Sequence, residues 1–269
     1  LAGMLRSFLA LGVGNYGALA IGLAINVLLA RRLGTEEYGR LALMLMASQM
    51  LLLIAVNWSH VGFVRFGARE FASTGAVTET LWTRLGLVLP TAGLGALAIV
   101  LARQPLAAYL GIPSAGVWLM LVHFVAACAL SITGAVFQAR EHMARYGVCL
   151  FLDKAVMLAC IVVLPATWTG NPLTVLGCYA ASSLSVAIWG MSTIGARALR
   201  PVLPTRAAYR TMVLFSTPVL LSSWAAFFGV NWFDLVILKW YVPMSSIGVY
   251  SLATQLAGGV QQITVIFST

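Results

Sequence analysis

The sequence predicts an all-α polytopic membrane protein of about eight transmembrane helices, and three observations predict it. Of its 269 residues, 61% are hydrophobic and only 9% charged, whereas a soluble domain carries roughly 25% charged residues. The charges are also gathered, leaving uncharged stretches at 7–30, 41–64, 85–102, 104–139, 155–196, 211–233 and 240–269. A helix needs about 20 apolar residues to cross a hydrocarbon core ~30 Å thick, so most of these stretches can cross once. Finally, the mean hydropathy of +0.96 excludes a disordered chain, and four cysteines scattered through apolar sequence do not make a disulfide scaffold.

In chain order, the first span is expected at 6–30. Its apolar run is longer than the ~7–15 residues of a signal-peptide core. The second, at 40–63, follows a charged loop, 31–40. The third is expected at 81–102. Pro105, Gly111 and Pro113 make 104–115 a loop and 116–139 the fourth span. The stretch 155–196 is broken by Pro165 and by Gly170-Asn171-Pro172, so it reads as a hairpin with spans at 147–167 and 174–196. Spans seven and eight are expected at 211–236 and 248–269. Residues 197–210, with Pro201 and Pro204, form the longest polar break. This divides the chain into a six-helix lobe over 1–196, a linker over 197–210 and the start of a second lobe over 211–269.

Orientation follows from the basic residues. With the N-terminus inside, Arg6, Arg65, Arg69, Arg84, Arg140, Arg145, Lys154, Arg197, Arg200, Arg206 and Arg210 lie toward the cytoplasm. Five others, Arg31, Arg32, Arg40, Arg103 and Lys239, lie outside. The pI near 9.9 then reflects topogenesis and the anionic inner leaflet, and nucleic acid is not an expected partner. His60, His123 and His142 have no partners at metal-ligand spacing, so no metal and no cofactor is predicted. Tryptophans such as Trp58, Trp82, Trp118, Trp168, Trp232 and Trp240 fall mostly at span ends, as in an interfacial belt.

A shift of 209 residues lays VLLARRLGTEEYGRLALMLM over VILKWYVPMSSIGVYSLATQ. Val27 then meets Val236, Leu29 meets Leu238, Gly39 meets Gly248 and Leu43 meets Leu252. The identities are few. The shared rhythm of span, short outer loop, glycine and new span suggests a parallel six-helix repeat whose second half is incomplete. Small residues one turn apart, Gly14, Ala18 and Gly22 on span 1 and Ala127, Ser131, Ala135 and Ala139 on span 4, mark packing faces. Asn26 continues the first stripe.

The segments LARRLGTEEYGRLAL, GFVRFGAREFA and STPVLLSS…DLVILKWYVPMSSIGVYSLATQL resemble the polysaccharide flippases of the multidrug/oligosaccharidyl-lipid/polysaccharide exporter superfamily, closest to the Wzx-type O-antigen and exopolysaccharide branch. The resemblance implies twelve to fourteen spans in two six-helix lobes around a central cavity, so this chain is expected to be a fragment. It also implies a bacterial inner-membrane flippase that carries an undecaprenyl-diphosphate-linked oligosaccharide from the inner to the outer leaflet by alternating access. Its partners would be the lipid-linked oligosaccharide, membrane lipids, Na+ or H+ as coupling ion, and the polysaccharide polymerase machinery.

By that architecture spans 1, 2, 7 and 8 line the cavity, which makes Asn15, Tyr16, Asn26, Gln49, Asn57, His60, Ser216, Ser222, Ser223, Asn231, Gln255, Gln261 and Gln262 candidates for bonding sugar hydroxyls. Such residues equally join neighbouring helices, at about 0.6 kcal/mol each. Arg65 and Arg69 share a helix face, and guanidinium groups suit the substrate diphosphate; the alternative is a topogenic pair at the headgroups. Arg84 is a third candidate. Asp234 is read as a gating or cation-coupling residue, or as a partner of Arg31, Arg32 or Lys239. The adjacent Asp153 and Lys154 are read as structural charges.

Two other functions compete. An ion-coupled small-molecule or drug antiporter of the same superfamily would be expected to carry an acid in spans 1 or 2, and 6–30 and 41–63 contain none. A membrane-embedded glycosyltransferase would need paired carboxylates or a His-Asp constellation at a membrane face, and Glu141-His142 is the only adjacent acid and histidine.

Overall fold

The computed structural model describes residues 2–195, 200–230 and 233–267, with side chains described over 11–165, 167–195, 200–222, 224–225 and 234–259. The helices are α1 (Ala2–Ala55), α2 (His60–Thr74), α3 (Thr78–Leu101), α4 (Arg103–Leu110), α5 (Ser114–Ala139), α6 (Met143–Val163), α7 (Ala166–Thr169), α8 (Pro172–Ile194), α9 (Arg206–Val230), α10 (Phe233–Leu238) and α11 (Met244–Phe267). No strand occurs among the described residues. Five described segments are long and apolar enough to cross a membrane: Leu11–Ala55, Thr78–Leu101, Ser114–Ala139, Met143–Val163 and Pro172–Ile194. The first, at 45 residues, is about twice a crossing length and bends at Gly34. With α9 and α11, of 25 and 24 residues, the described residues hold seven long helical segments, and the chain is an all-α polytopic membrane protein.

Residues 31–40 correct the sequence reading. They form no loop, because only Gly34 leaves the helical region, with φ 74° and ψ 173°, a conformation open essentially to glycine alone. The charges around it support helix. Arg40 pairs with Glu36, at 2.6 Å, and with Glu37, four and three residues back, while Arg32 donates to the Ile161 carbonyl at 2.6 Å and to Thr169 Oγ1 at 3.1 Å. Residues 104–115 likewise hold α4, which ends at Gly111 in the left-handed region.

Span 2 runs further than expected and is interrupted. After Ala55 the chain passes through a 3-10 turn, Asn57–Ser59, and resumes as α2. Carbonyls freed there find side chains: Thr91 Oγ1 donates to Ala55 O at 2.7 Å and Ser59 Oγ to Val56 O at 3.1 Å. Irregular backbone at membrane depth is tolerated only with such partners. The expected hairpin is present as α6 and α8, where Asn171 caps α8 by accepting from Leu173 N at 2.9 Å, with Pro172 at the first turn.

Small residues set the closest crossings. A Cβ on Gly14 would lie 2.5 Å from the Gly147 carbonyl oxygen, so α1 and α6 touch backbone to backbone. The main core joins Ile25, Leu29 and Met44 of α1 to Met120, Met157 and Leu176 of α5, α6 and α8. A second cluster gathers Phe63, Leu81 and Phe137.

Candidate functional site

The four helices that the sequence reading assigns to a cavity meet along two seams. At one end of the bundle, α1 crosses α11 where Gly39 and Gly248 face each other. A Cβ on Gly39 would lie 2.5 Å from the Met244 carbonyl oxygen, and one on Gly248 would overlap the carbonyl oxygen of Thr35. These are the two glycines that the 209-residue shift equates. Nearby, Asp234 of α10 accepts from the Tyr250 hydroxyl and from Leu235 N at 2.9 Å. Tyr109 of α4 donates to Val236 O at 2.9 Å.

At the other end α2 packs on α9. The rings of Phe66 and Phe215 meet edge to face with centroids 5.4 Å apart, and the Arg65 guanidinium lies 4.7 Å over Phe215. Gly62 leaves room for Ser216, whose Oγ would be 2.5 Å from a Cβ there. The segment leading into α9 is tied to α3, since Trp82 Nε1 donates to Arg200 O at 2.8 Å and Thr205 Oγ1 to Glu79 at 3.2 Å.

Arg65 and Arg69 are exposed on α2, and neither guanidinium has a hydrogen-bond or ion-pair partner among the described residues. Glu70 forms no ion pair with either among the described residues, its carboxylate accepting instead from Glu79 N and Thr80 N at 2.9 Å each. Arg206 and Arg210, one turn apart, line a hollow of about 650 Å³ at the start of α9 with Ala207, Thr211 and Leu214. The sequence reading had counted these two only for topology.

The polar candidates separate by partner. Asn15 and Tyr16 are exposed and Asn26 half-buried. Asn57 and His60 reach across to α5: Ser131 Oγ donates to Asn57 Oδ1 at 3.0 Å, and His60 Nε2 lies 3.1 Å from Gln138 Oε1. Ser222 donates to Val219 O at 3.0 Å within its own helix, and Gln255 donates to Ser251 Oγ at 3.2 Å. Asn231 and the side chain of Gln262 lie outside the described residues.

Two interior groups stand out that composition could not place. Arg84 is fully buried, its guanidinium 5.0 Å over the Phe63 ring, and Nε, Nη1 and Nη2 all lack hydrogen-bond partners among the described residues. Arg84 lies in the second turn of α3, which starts at Thr78, three residues before the expected boundary. Asp153 is 7% exposed and accepts from Ser182 Oγ, Ser183 Oγ and Lys154 Nζ.

Taken together, the arrangement offers guanidinium donors at one end of the bundle, amides and hydroxyls along the helices, and two inter-helix seams. Such a set can bind an anion and hydroxyl groups. Compared with known proteins, the chain matches the family described as polysaccharide biosynthesis protein over residues 4–269. No curated protein and no solved structure matches it.

Proposed function

The chain belongs to the polysaccharide biosynthesis protein family, a family of membrane transporters, and we propose that it is a Wzx-type flippase for an undecaprenyl-diphosphate-linked oligosaccharide. It lies in the bacterial inner membrane with its N-terminus in the cytoplasm. Residues 1–196 form the first lobe, 197–210 the linker and 211–269 the start of the second lobe. A diphosphate and a sugar chain cannot cross hydrocarbon unaided, because charge and unsatisfied polar groups cost several kcal/mol or more there. A polar path between lobes replaces water while the lipid tail stays in the bilayer.

The observation that carries this reading is the pair Arg65 and Arg69, exposed, one turn apart and unpaired among the described residues beside α9. They receive the diphosphate on the cytoplasmic side. Asn15, Tyr16, Asn26, Asn57, His60, Ser222, Asn231, Gln255 and Gln262 line the sugar path. The α2–α9 seam closes the inner end and the Gly39–Gly248 seam the outer, each joining a helix of the first lobe to one of the second, and Asp234 with Tyr250 serves the outer gate. Alternating access is the alternate parting of these seams, coupled to Na+ or H+.

Binding of a fluorescent lipid-linked oligosaccharide in nanodiscs tests the reading. Inorganic diphosphate should displace it, and Arg65→Ala and Arg69→Ala should each weaken it about ten-fold, the order expected for one charge-assisted hydrogen bond. Unchanged affinity in both variants would remove the arginine site.

A further inference from the structure

Helix α9 packs with one face and leaves the other open. Met212, Phe215 and Ser216 are turned to α2, where Gly62 makes room for them and the Arg65 guanidinium lies over the Phe215 ring. Tyr209 is turned to α3, its hydroxyl against Gly86. At 3.6 residues per turn, Arg206, Arg210, Leu214, Pro218 and Leu221 fall on the opposite side. All five are exposed, Leu214 at 63% and Leu221 at 62%. Arg206 and Arg210 line the hollow of about 650 Å³ with Ala207, Thr211 and Leu214, and neither guanidinium has a hydrogen-bond or ion-pair partner among the described residues. Glu79 of α3 forms no ion pair with them there, its carboxylate accepting from Thr205 N at 3.4 Å and Thr205 Oγ1 at 3.2 Å.

This open stripe changes character along the helix axis. Two guanidinium groups one turn apart, about 6 Å along the helix, are followed by three apolar residues over the next ~16 Å. A small anion would use only the first part, and a lipid tail only the second. A phospholipid uses both, since phosphate oxygens suit planar guanidinium donors and acyl chains suit the apolar stripe. Charge narrows the headgroup. The hollow's lining holds no carboxylate for a headgroup amine, whereas two unpaired cations attract a lipid whose phosphate charge is not internally balanced. The exposed Thr211 hydroxyl can meet a glycerol hydroxyl. Trp82, which donates to Arg200 O at 2.8 Å, sets an indole at the same end, as at bilayer interfaces.

We propose that this face of α9 is a binding site for an anionic glycerophospholipid, its phosphate between Arg206 and Arg210 and its acyl chains along Leu214, Pro218 and Leu221. The site is separate from Arg65 and Arg69, which stand on α2 across the other face of α9, and it does not depend on what the protein transports. A lipid bound there holds α9 from the side away from its seam with α2.

Native mass spectrometry of the whole protein, released from detergent, counts the lipid it retains. From an equal mixture of dioleoyl phosphatidylglycerol and dioleoyl phosphatidylcholine, the wild type should keep one phosphatidylglycerol. Arg206→Gln and Arg210→Gln, both at exposed positions and checked for helical content by circular dichroism, should each raise the lipid concentration for half-occupancy about ten-fold. Arg65→Ala and Arg69→Ala should retain the lipid as the wild type does, and inorganic phosphate at the lipid's concentration should leave it in place. Retention of both lipids without preference, or glutamine variants that retain as much as the wild type, would overturn the site. Equal loss in the α2 variants would merge it with the diphosphate site, and displacement by inorganic phosphate would reduce it to an anion site with no use for acyl chains; either result overturns the proposal. So would a wild type that retains no lipid, which would mean that other protein covers this face.

Discussion

Arg84 is a charge inside the bundle without a counter-ion among the described residues: three guanidinium nitrogens are buried with no hydrogen-bond partner there, and Phe63 supplies a cation–π contact. Such a contact is worth about 2 kcal/mol when desolvated, less than the cost of burying the ion. Arg84→Met, which keeps volume and removes the charge, should therefore leave the protein as stable or about 1–4 kcal/mol more stable, whereas Arg84→Ala should open a void and destabilise it. Thermal unfolding in detergent compares the two, and a destabilised Arg84→Met would mean that the guanidinium has partners in the membrane. His142, in the turn between α5 and α6, belongs to the same scale. Burial, then Arg145 and Arg140, hold its pKa below the ordinary histidine value, so the unfolded chain binds the proton more readily. Stability is thus full above about pH 6.5 and declines as pH falls through that value toward the folded pKa. The unfolding midpoint of His142→Gln should fall less than that of the wild type between pH 7.5 and 5.5. Equal acid sensitivity would assign the effect to other groups.

Helix elements show where the sequence could be read and where it could not. Gly170-Asn171-Pro172 marked the α6–α8 turn correctly, because a cap, a proline and a glycine act locally. The charged run 31–40 misled, since charge was taken as a sign of loop when Glu36, Glu37 and Arg40 stand at helical spacing and Arg32 reaches a carbonyl 129 residues away. Only Gly34 carries the bend, at φ 74°. Gly34→Ala should cost about 1–3 kcal/mol, read as a lowered unfolding midpoint, and an unchanged midpoint would show that the bend can straighten without loss. The interruption at Asn57–Ser59 carried no proline or glycine and was invisible in sequence. Its partners, Thr91 and the α5 residues Ser131 and Gln138, come from distant segments.

At the scale of the whole molecule, composition alone settled the fold class, because a chain this apolar can satisfy its backbone in lipid only as helices or a closed barrel, and the apolar runs have helical length. The candidate site was less legible. Arg65 and Arg69 could be named from their spacing, but the α9 ring on which Arg65 stacks, the Arg206–Arg210 hollow and the sealed Asp153 depend on how helices far apart in sequence pack. The Gly39–Gly248 contact lies between them: the 209-residue shift equated the two glycines, and only the fold brought them together. The account centres on passage of a diphosphate-linked sugar between these helices. Its most direct test is leaflet translocation of a fluorescent, undecaprenyl-diphosphate-linked oligosaccharide in proteoliposomes, with imposed sodium or proton gradients and with Arg65→Ala and Arg69→Ala alongside. The account predicts translocation that responds to one of the two gradients and drops about ten-fold or more in each variant. A wild type that moves no lipid-linked sugar but exports small cations under the same gradients would contradict it.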